Sequence, residues 1–468
     1  MKLTKALFVL ALTAALAVPA YAETQNVKVS GSIDGYWFYR NHYDLQSNND
    51  SGAVPAGTAV PTAAHGGTVA HRSEGHDYGR TNTQIEVSAD LTDNVSTVIN
   101  LVNMRDWNAD TFDAAAAQTG AEFDVLLDLA YVKMKEIFYS PLTLTVGRQD
   151  MWFGRGFILG NNLTTWDPQG QTQADEFSVI NGFDAVRATL DFNPWTLDFV
   201  LTNVNENSHD PEDDVWFEFN NVNYKFAEYN AVAEGYYMYE SNKAAVNAAA
   251  SGTQANTTQT LGGRIQFDPV SQITLGAEVA YQFGDYIRAA NEPKRDREAF
   301  GLDIFGTYRF DMNWKPELTL EYVHFSGSDD LTVGSTQQYN AWNLLYRGKF
   351  WTAISDFREV LYATADVNDQ SAAQNEEFFQ VKGSLKPLED LLLEASFTYL
   401  WMDKSIVAGG TSRSDKDLGY EVDFQATYDY TEDVTFGFLA GFYVPGSYFA
   451  APSDATASEL VSSVKVAF

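Results

Sequence analysis

Residues 417–429 read DLGYEVDFQATYD, and the parity of that stretch decides the fold. Leu418, Tyr420, Val422, Phe424, Ala426 and Tyr428 share one parity; Glu421, Asp423, Gln425, Thr427 and Asp429 hold the other. Side chains of a β-strand change face at every residue, so the segment has one apolar and one polar surface. Residues 81–91 repeat the pattern, with Ile85, Val87, Ala89 and Leu91 set against Asn82, Gln84, Glu86, Ser88 and Asp90. A half-buried sheet in a soluble protein alternates in the same way. The connections separate the two cases.

Segments of this kind recur at 27–40, 80–92, 95–106, 123–137, 142–150, 182–192, 195–205, 215–226, 229–242, 258–268, 272–287, 298–311, 315–327, 376–387, 391–403, 417–429, 433–445 and 458–468. Short links rich in Asn, Asp and Pro, such as Thr92 to Asn94, Asn193-Pro194 and Tyr430 to Glu432, alternate with long ones. Short turns at one end and long loops at the other are what a membrane barrel requires. Closing the sheet removes the unpaired edges that lipid would penalise. The expected fold is therefore all-β, a single transmembrane antiparallel β-barrel of about 18 strands with periplasmic turns and extracellular loops. Phe357 to Ala365 has strand character too, but one more strand spoils the parity, so 328–375 reads as a long loop folded inward.

The start of the chain suits export. Lys2 and Lys5 precede an apolar run from Ala6 to Val18, and Ala20-Tyr21-Ala22 forms a small-residue cleavage site. The run is too short to span roughly 30 Å of hydrocarbon, so 1–22 reads as a signal peptide and 23–468 as the barrel. No later apolar run could cross a membrane as a helix. Cysteine is absent, which excludes disulfides, thiolate metal sites, cysteine nucleophiles and covalent c-type haem attachment. With 63 acidic against 30 basic residues, nucleic acid is excluded as a partner for want of a basic face. An aromatic content of 14% fits girdles at two lipid interfaces. The end, Val464 to Phe468, alternates and stops on an aromatic, resembling the C-terminal signature of bacterial outer-membrane proteins. That resemblance implies the cell outer membrane, its lipid and the barrel-assembly machinery as surroundings.

Projected alternation gives a mixed lumen wall that leans acidic, with Glu278, Asp303, Glu321, Glu421 and Asp423 against Arg187, Arg264 and Arg309. Rings of charge bias which ions pass, although a wide barrel needs a hydrated interior in any case. The most distinctive segment is VGRQDMWFGRGF, Val146 to Phe157. Strict alternation points Arg148 at lipid, and a bulge at Gly147 would turn it inward. The loop 151–181 is then expected to narrow the pore with Arg148 and Arg155. A second loop carries WNLLYRGKFW, whose Trp342, Tyr346, Arg347, Lys349 and Trp351 are too apolar as a group for a solvated tip. It packs on something, and the lumen is the nearest surface. The acidic loop Asn205 to Asp214 lacks the ordered spacing of a calcium site, and nothing aligns His42, His65, His71 and His76. Neither a metal nor a cofactor is expected.

With Gly147-Arg148-Gln149 closing a strand, a Gly-rich loop after it, and Tyr346-Arg347-Gly348 later, the chain resembles the alginate export family of outer-membrane proteins. The resemblance implies an 18-stranded barrel whose loops gate the lumen. It also implies an arginine-rich, electropositive path for a polyuronate, from which this acidic wall departs. A polyanion would be repelled unless Arg148, Arg155, Arg187, Arg264 and Arg309 cluster at one level.

Function is accordingly expected to be a porin-like channel passing small hydrophilic solutes or ions, with a mild cation preference. The alternative is a dedicated exporter of an extracellular polysaccharide, fed by periplasmic partners. A membrane-embedded hydrolase needs a positioned base and nucleophile. His324 is the one histidine within the strand spans, alternation points it outward, and no Ser, His and acid converge, so no enzyme is expected. A sheath around a periplasmic electron carrier is a further reading, with the haem supplied by the carrier.

Overall fold

Two-faced segments have a stable arrangement in lipid only when every main-chain polar group is paired. In the computed structural model, residues 26–42, 45, 76–107, 125–160, 177–205, 214–243, 255–288, 292–330, 334–356, 375–408, 411–413, 415–449 and 454–468 are described, and 18 strands form one antiparallel sheet. They are β1 (Asn26–Asn41), β2 (His76–Thr92), β3 (Val95–Asp106), β4 (Leu126–Lys135), β5 (Leu142–Gln149), β6 (Phe183–Asp191), β7 (Trp195–Asn205), β8 (Val215–Lys225), β9 (Val232–Asn242), β10 (Asn256–Val270), β11 (Ile273–Tyr286), β12 (Arg295–Arg309), β13 (Glu317–Phe325), β14 (Glu377–Leu388), β15 (Leu391–Trp401), β18 (Asp417–Asp429), β19 (Val434–Pro445) and β20 (Ala457–Ala467). A separate short hairpin, β16 (Ile406–Ala408) and β17 (Thr411–Arg413), stands in the loop between β15 and β18.

Each barrel strand pairs with the next in sequence, and β1 pairs with β20 to close the cylinder, Gly35 lying opposite Val464. Phe468 completes the seam by exchanging two backbone hydrogen bonds with Gly31, at 2.9 and 3.0 Å. Phe199, Leu201, Ile304, Leu320, Phe424 and Phe438 point outward and are exposed. Such a belt would aggregate in water and is what hydrocarbon favours. Aromatic pairs sit near both rims: Trp195 and Tyr224, 4.5 Å apart, near the short turns, and Trp37 and Trp107, 5.9 Å apart, near the long loops.

Strand positions follow the sequence pattern closely. The segments 95–106, 195–205 and 417–429 are observed as expected. β4 is shorter than 123–137 because Leu126 starts it and Glu136, at φ 52°, ends the extended run. The β16–β17 hairpin was not anticipated, since three-residue strands carry too little periodicity to read. The signal segment 1–22, His65, His71, the body of the acidic loop 205–214 and the whole of Phe357 to Ala365 lie outside the described residues.

Candidate functional site

The inner wall changes character along its height. Inward positions near the short turns are polar, as with Glu317, Thr319 and Glu321 on β13; nearer the long loops the same parity turns apolar, with Val323 and Phe325. β8 repeats this, with Phe217 and Phe219 above Asn221 and Asn223. An apolar inner wall facing water would be unfavourable, and two loops cover it. Residues 151–160 after β5 and 339–356 after β13 bring Phe157, Trp342, Tyr346, Trp351 and Ile354 into one buried cluster with Phe183, Phe217, Phe325 and Phe378 of the wall. Trp342 lies 5.8 Å from both Phe157 and Phe325, and Trp351 lies 5.1 Å from Phe378. Burial of each large side chain contributes about 1.5–3 kcal/mol.

The loops also join each other. Tyr346 N donates to Ile158 O at 3.1 Å, Gly160 N to Tyr346 O at 2.9 Å and Gly348 N to Gly156 O at 2.8 Å. Gly156, at φ 75°, stands where a Cβ would meet the Trp152 ring at 2.5 Å, so the turn needs glycine there.

Below this apolar layer sits a four-charge clamp. Arg155 of the first loop reaches Asp303 of β12 and Glu321 of β13, both at 2.9 Å. Lys349 of the second loop lies 3.3 Å from Asp303 and also pairs with Glu321. Trp351 Nε1 donates to Glu321 at 2.9 Å, and the Arg155 guanidinium rests 3.6 Å above the Phe305 ring. Two cations from the loops therefore meet two carboxylates of the wall; Asp303 is 0% exposed. Burial pulls the Lys349 ammonium below its usual pKa, while Asp303 and Glu321 act in the opposite sense.

Wall carboxylates and amides hold the second loop at further points. Glu421 accepts from the backbone N–H groups of Ile354 and Ser355 at 2.6 and 2.8 Å, and Gln380 donates to Trp351 O at 2.7 Å. Tyr346 donates its hydroxyl to Glu240 at 3.1 Å. Within the loop, Arg347 pairs with Asp356 at 2.8 Å, and Asp356 accepts from Trp351 N and Thr352 N. On the short-turn side of the clamp lies a cavity of about 600 Å³ bordered by Arg155, Lys349, Gln380, Lys382, Glu394 and Asp423.

The expected residues divide. Arg155, Lys349, Asp303 and Glu321 come together in the clamp, and Arg187 and Arg264 converge on the same loop tip. Arg187 pairs with Asp198 at 2.8 Å and lies 4.8 Å from the Phe153 ring centroid. Arg264 pairs with Glu234 at 2.7 Å beside Gly154, where a Cβ would come within 3.2 Å of its Nε. Glu278 accepts from Tyr236 at 2.8 Å and is buried. Glu421 faces inward as expected but lies beneath the loop, and Asp423 accepts from Ser396 at 3.2 Å at the cavity edge.

One expectation is corrected. Pairing runs through Gly147 without a register shift, so Arg148 stays in the outward row with Ile99, Ala130 and Asp184. It pairs there with Asp184 at 3.1 Å. A Cβ on Gly147 would lie 2.2 Å from Ala130 O, so this glycine permits close strand approach and makes no bulge. Arg309 faces inward but pairs with Glu317 at 3.4 Å by the short turns, away from the other arginines.

Sequence reading missed the wall aromatics Phe217, Phe219, Phe325 and Phe378. Their signal was available, because each is an apolar residue on the lumen parity, and that marks where something must cover the wall. It also missed Gln380 and Asp356, whose roles depend on the loop path. Outward His324 lies 3.2 Å from Glu377; with Asp403 they form a polar knot within 4.8 Å at the long-loop rim, in which Glu377 also accepts from Tyr322 and Trp401.

A sequence profile described as alginate export matches residues 62–463. No curated protein sequence matches the chain significantly. Among solved structures, Pseudomonas aeruginosa OpdK with vanillate superposes with a TM-score of 0.54 at 11% identity, over 95% of this chain and 100% of that one. OccK2 (OpdF) of the same organism, in complex with glucuronate, gives 0.51 at 12% identity over 95% and 99%. OccK11 (OpdR), also from Pseudomonas aeruginosa, gives 0.53 at 10% identity over 95% and 96%. Likeness at such identities is a likeness of fold. With the profile spanning most of its length and its wall closed around an apolar belt, the chain belongs to the alginate export family of outer-membrane β-barrels.

Proposed function

We propose that the barrel is a channel passing small hydrophilic solutes or ions across the outer membrane, with its constriction set by the two inward loops, and that it is not an enzyme. The observation that carries this reading is the clamp, where Arg155 and Lys349 share Asp303 and Glu321 beside a polar cavity of about 600 Å³. Fixed charges beside a hydrated space discriminate among solutes by charge and size. Vanillate and glucuronate, bound by the structural neighbours, are of the size such a space admits. The acidic excess favours a mild cation preference. Lipid around the belt, insertion by the barrel-assembly machinery and removal of 1–22 on export belong to the same proposal.

Export of a polysaccharide is the second reading, favoured by the convergence of Arg155, Arg187 and Arg264 on one loop tip. Each of those arginines is already paired with a wall carboxylate, and Arg148 and Arg309 stand apart. An exporter would also require a periplasmic partner. Purified barrel in planar bilayers under a salt gradient decides between them. Steady conductance with modest cation preference is expected; silence without a periplasmic partner, or marked anion preference, contradicts the channel reading.

A further inference from the structure

Where two girdle aromatics bracket a strand, the outward positions between them meet hydrocarbon. On β12 these are Leu302, Ile304 and Gly306, between Phe300 and Tyr308; on β18 they are Val422, Phe424 and Ala426, between Tyr420 and Tyr428. β8 has the same span, from Trp216, 5.3 Å from Tyr239, to Tyr224, 4.5 Å from Trp195. Its outward positions are Glu218, Asn220 and Val222. A carboxylate and an amide thus stand where β12 and β18 expose only apolar groups.

The register fixes their direction. Glu218 lies opposite Leu201 and Asn220 opposite Phe199, which are 55% and 47% exposed, while Phe217 and Phe219 face the buried cluster. Asn220 is midway between the girdles. Among the described residues neither side chain has a hydrogen-bond or ion-pair partner. Hydrocarbon supplies none, so polar groups at this depth are costly unless another protein covers them.

The surroundings of the two side chains indicate what covers them. Tyr239 lies opposite Glu218 on β9 and its hydroxyl is also unpaired, whereas Tyr237, opposite Asn220, donates to Gln259 at 2.9 Å. The patch therefore offers acceptors at Glu218, a donor at Tyr239 and both at Asn220, which makes it complementary to itself. Nearer the short turns, Gly235 faces Gly263 across β9 and β10, and a Cβ on Gly235 would meet only Val222, at 3.6 Å. The barrel's own packing does not require glycine at 235, and bare backbone in the belt lets another surface approach closely.

We propose that this face of β8 to β10 is the contact of a two-fold homodimer in the membrane plane. A two-fold axis along the membrane normal keeps each residue at its own height. Asn220 then meets Asn220 of the partner subunit, amide to amide, and Glu218 accepts from Tyr239 of the partner subunit. The contact lies on the outer face of the wall, so each lumen stays separate.

Förster transfer in liposomes between barrels labelled at Asp93→Cys tests the contact; the label sits on a short turn, and the native chain has no cysteine. Transfer above that of random mixing is expected, and native mass measurement from lipid nanodiscs should give two copies. Glu218→Leu/Asn220→Leu makes the belt continuous, so it should fold at least as well as the native chain and weaken association by about tenfold or more. Phe424→Ala, on the far side of the barrel, should leave association unchanged. Transfer no greater than random mixing overturns the proposal and leaves the patch to a different partner. A mass of one copy or of three, or undiminished association in the double variant, overturns it too. Conductance is a separate readout, so a dimer that does not conduct would keep this contact and lose the channel reading.

Discussion

Gly160 and Gly348 touch across the lumen: a Cβ on Gly348 would stand 2.6 Å from the Gly160 carbonyl carbon. The facing backbone and the Trp152 ring beside it fill that space, so a side chain added at either glycine must displace a loop. Their mutual hydrogen bonds hold the approach in place. Gly348→Val is therefore expected to force the loops apart, costing about 1–3 kcal/mol through overpacking. Protease sensitivity of the second loop should rise while the barrel stays folded; an unchanged digestion pattern would show that the contact is dispensable.

Asp303 is shared by cations from two loops. Asp303→Ala leaves Arg155 and Lys349 with Glu321 alone, and breaking a buried pair of this kind costs about 3–5 kcal/mol. Equilibrium unfolding in detergent measures it. Combining Asp303→Ala with Lys349→Met should cost less than the two single changes together, since each removes part of the same cluster. Strict additivity would mean the four charges act independently.

Glu421 is expected to behave as an anchor of the loop rather than a selectivity group. Glu421→Ala deprives two buried amides, Ile354 and Ser355, of their acceptor, a loss of about 1–3 kcal/mol each. Hydrogen exchange at those amides should accelerate, with ion preference little changed. A large shift in reversal potential with unaltered exchange would assign Glu421 to the conduction path instead.

Arg148 should matter little to transport. Its partner Asp184 is an outward side chain 66% exposed, and surface pairs contribute about 0–1 kcal/mol. Arg148→Ala is predicted to leave conductance and selectivity at wild-type values; a clear change in either would return this residue to the lumen.

The barrel was legible because period-two alternation is a direct consequence of strand geometry under two solvents, as in 417–429. Turn residues such as Asn193-Pro194 supplied the connectivity, and parity supplied closure. Arg155 and Lys349 were legible as loop cations, but their shared partners were not, because Asp303 and Glu321 stand on neighbouring strands while the loops approach from far along the chain. Arg148 misled because a glycine beside an arginine fits either a bulge or a close strand contact, and the pairing register alone distinguishes them. Phe217 and Phe325 carry their signal in parity alone: an apolar residue on the lumen parity marks the surface on which an inward loop docks.

Single-channel conductance of the Arg155→Ala/Lys349→Ala variant against the native barrel tests the central claim most directly. If the clamp holds the loops in the lumen and these set the narrowest passage, conductance should rise by about twofold or more, with added flicker as the loops loosen. A folded variant with native conductance and native noise would contradict it.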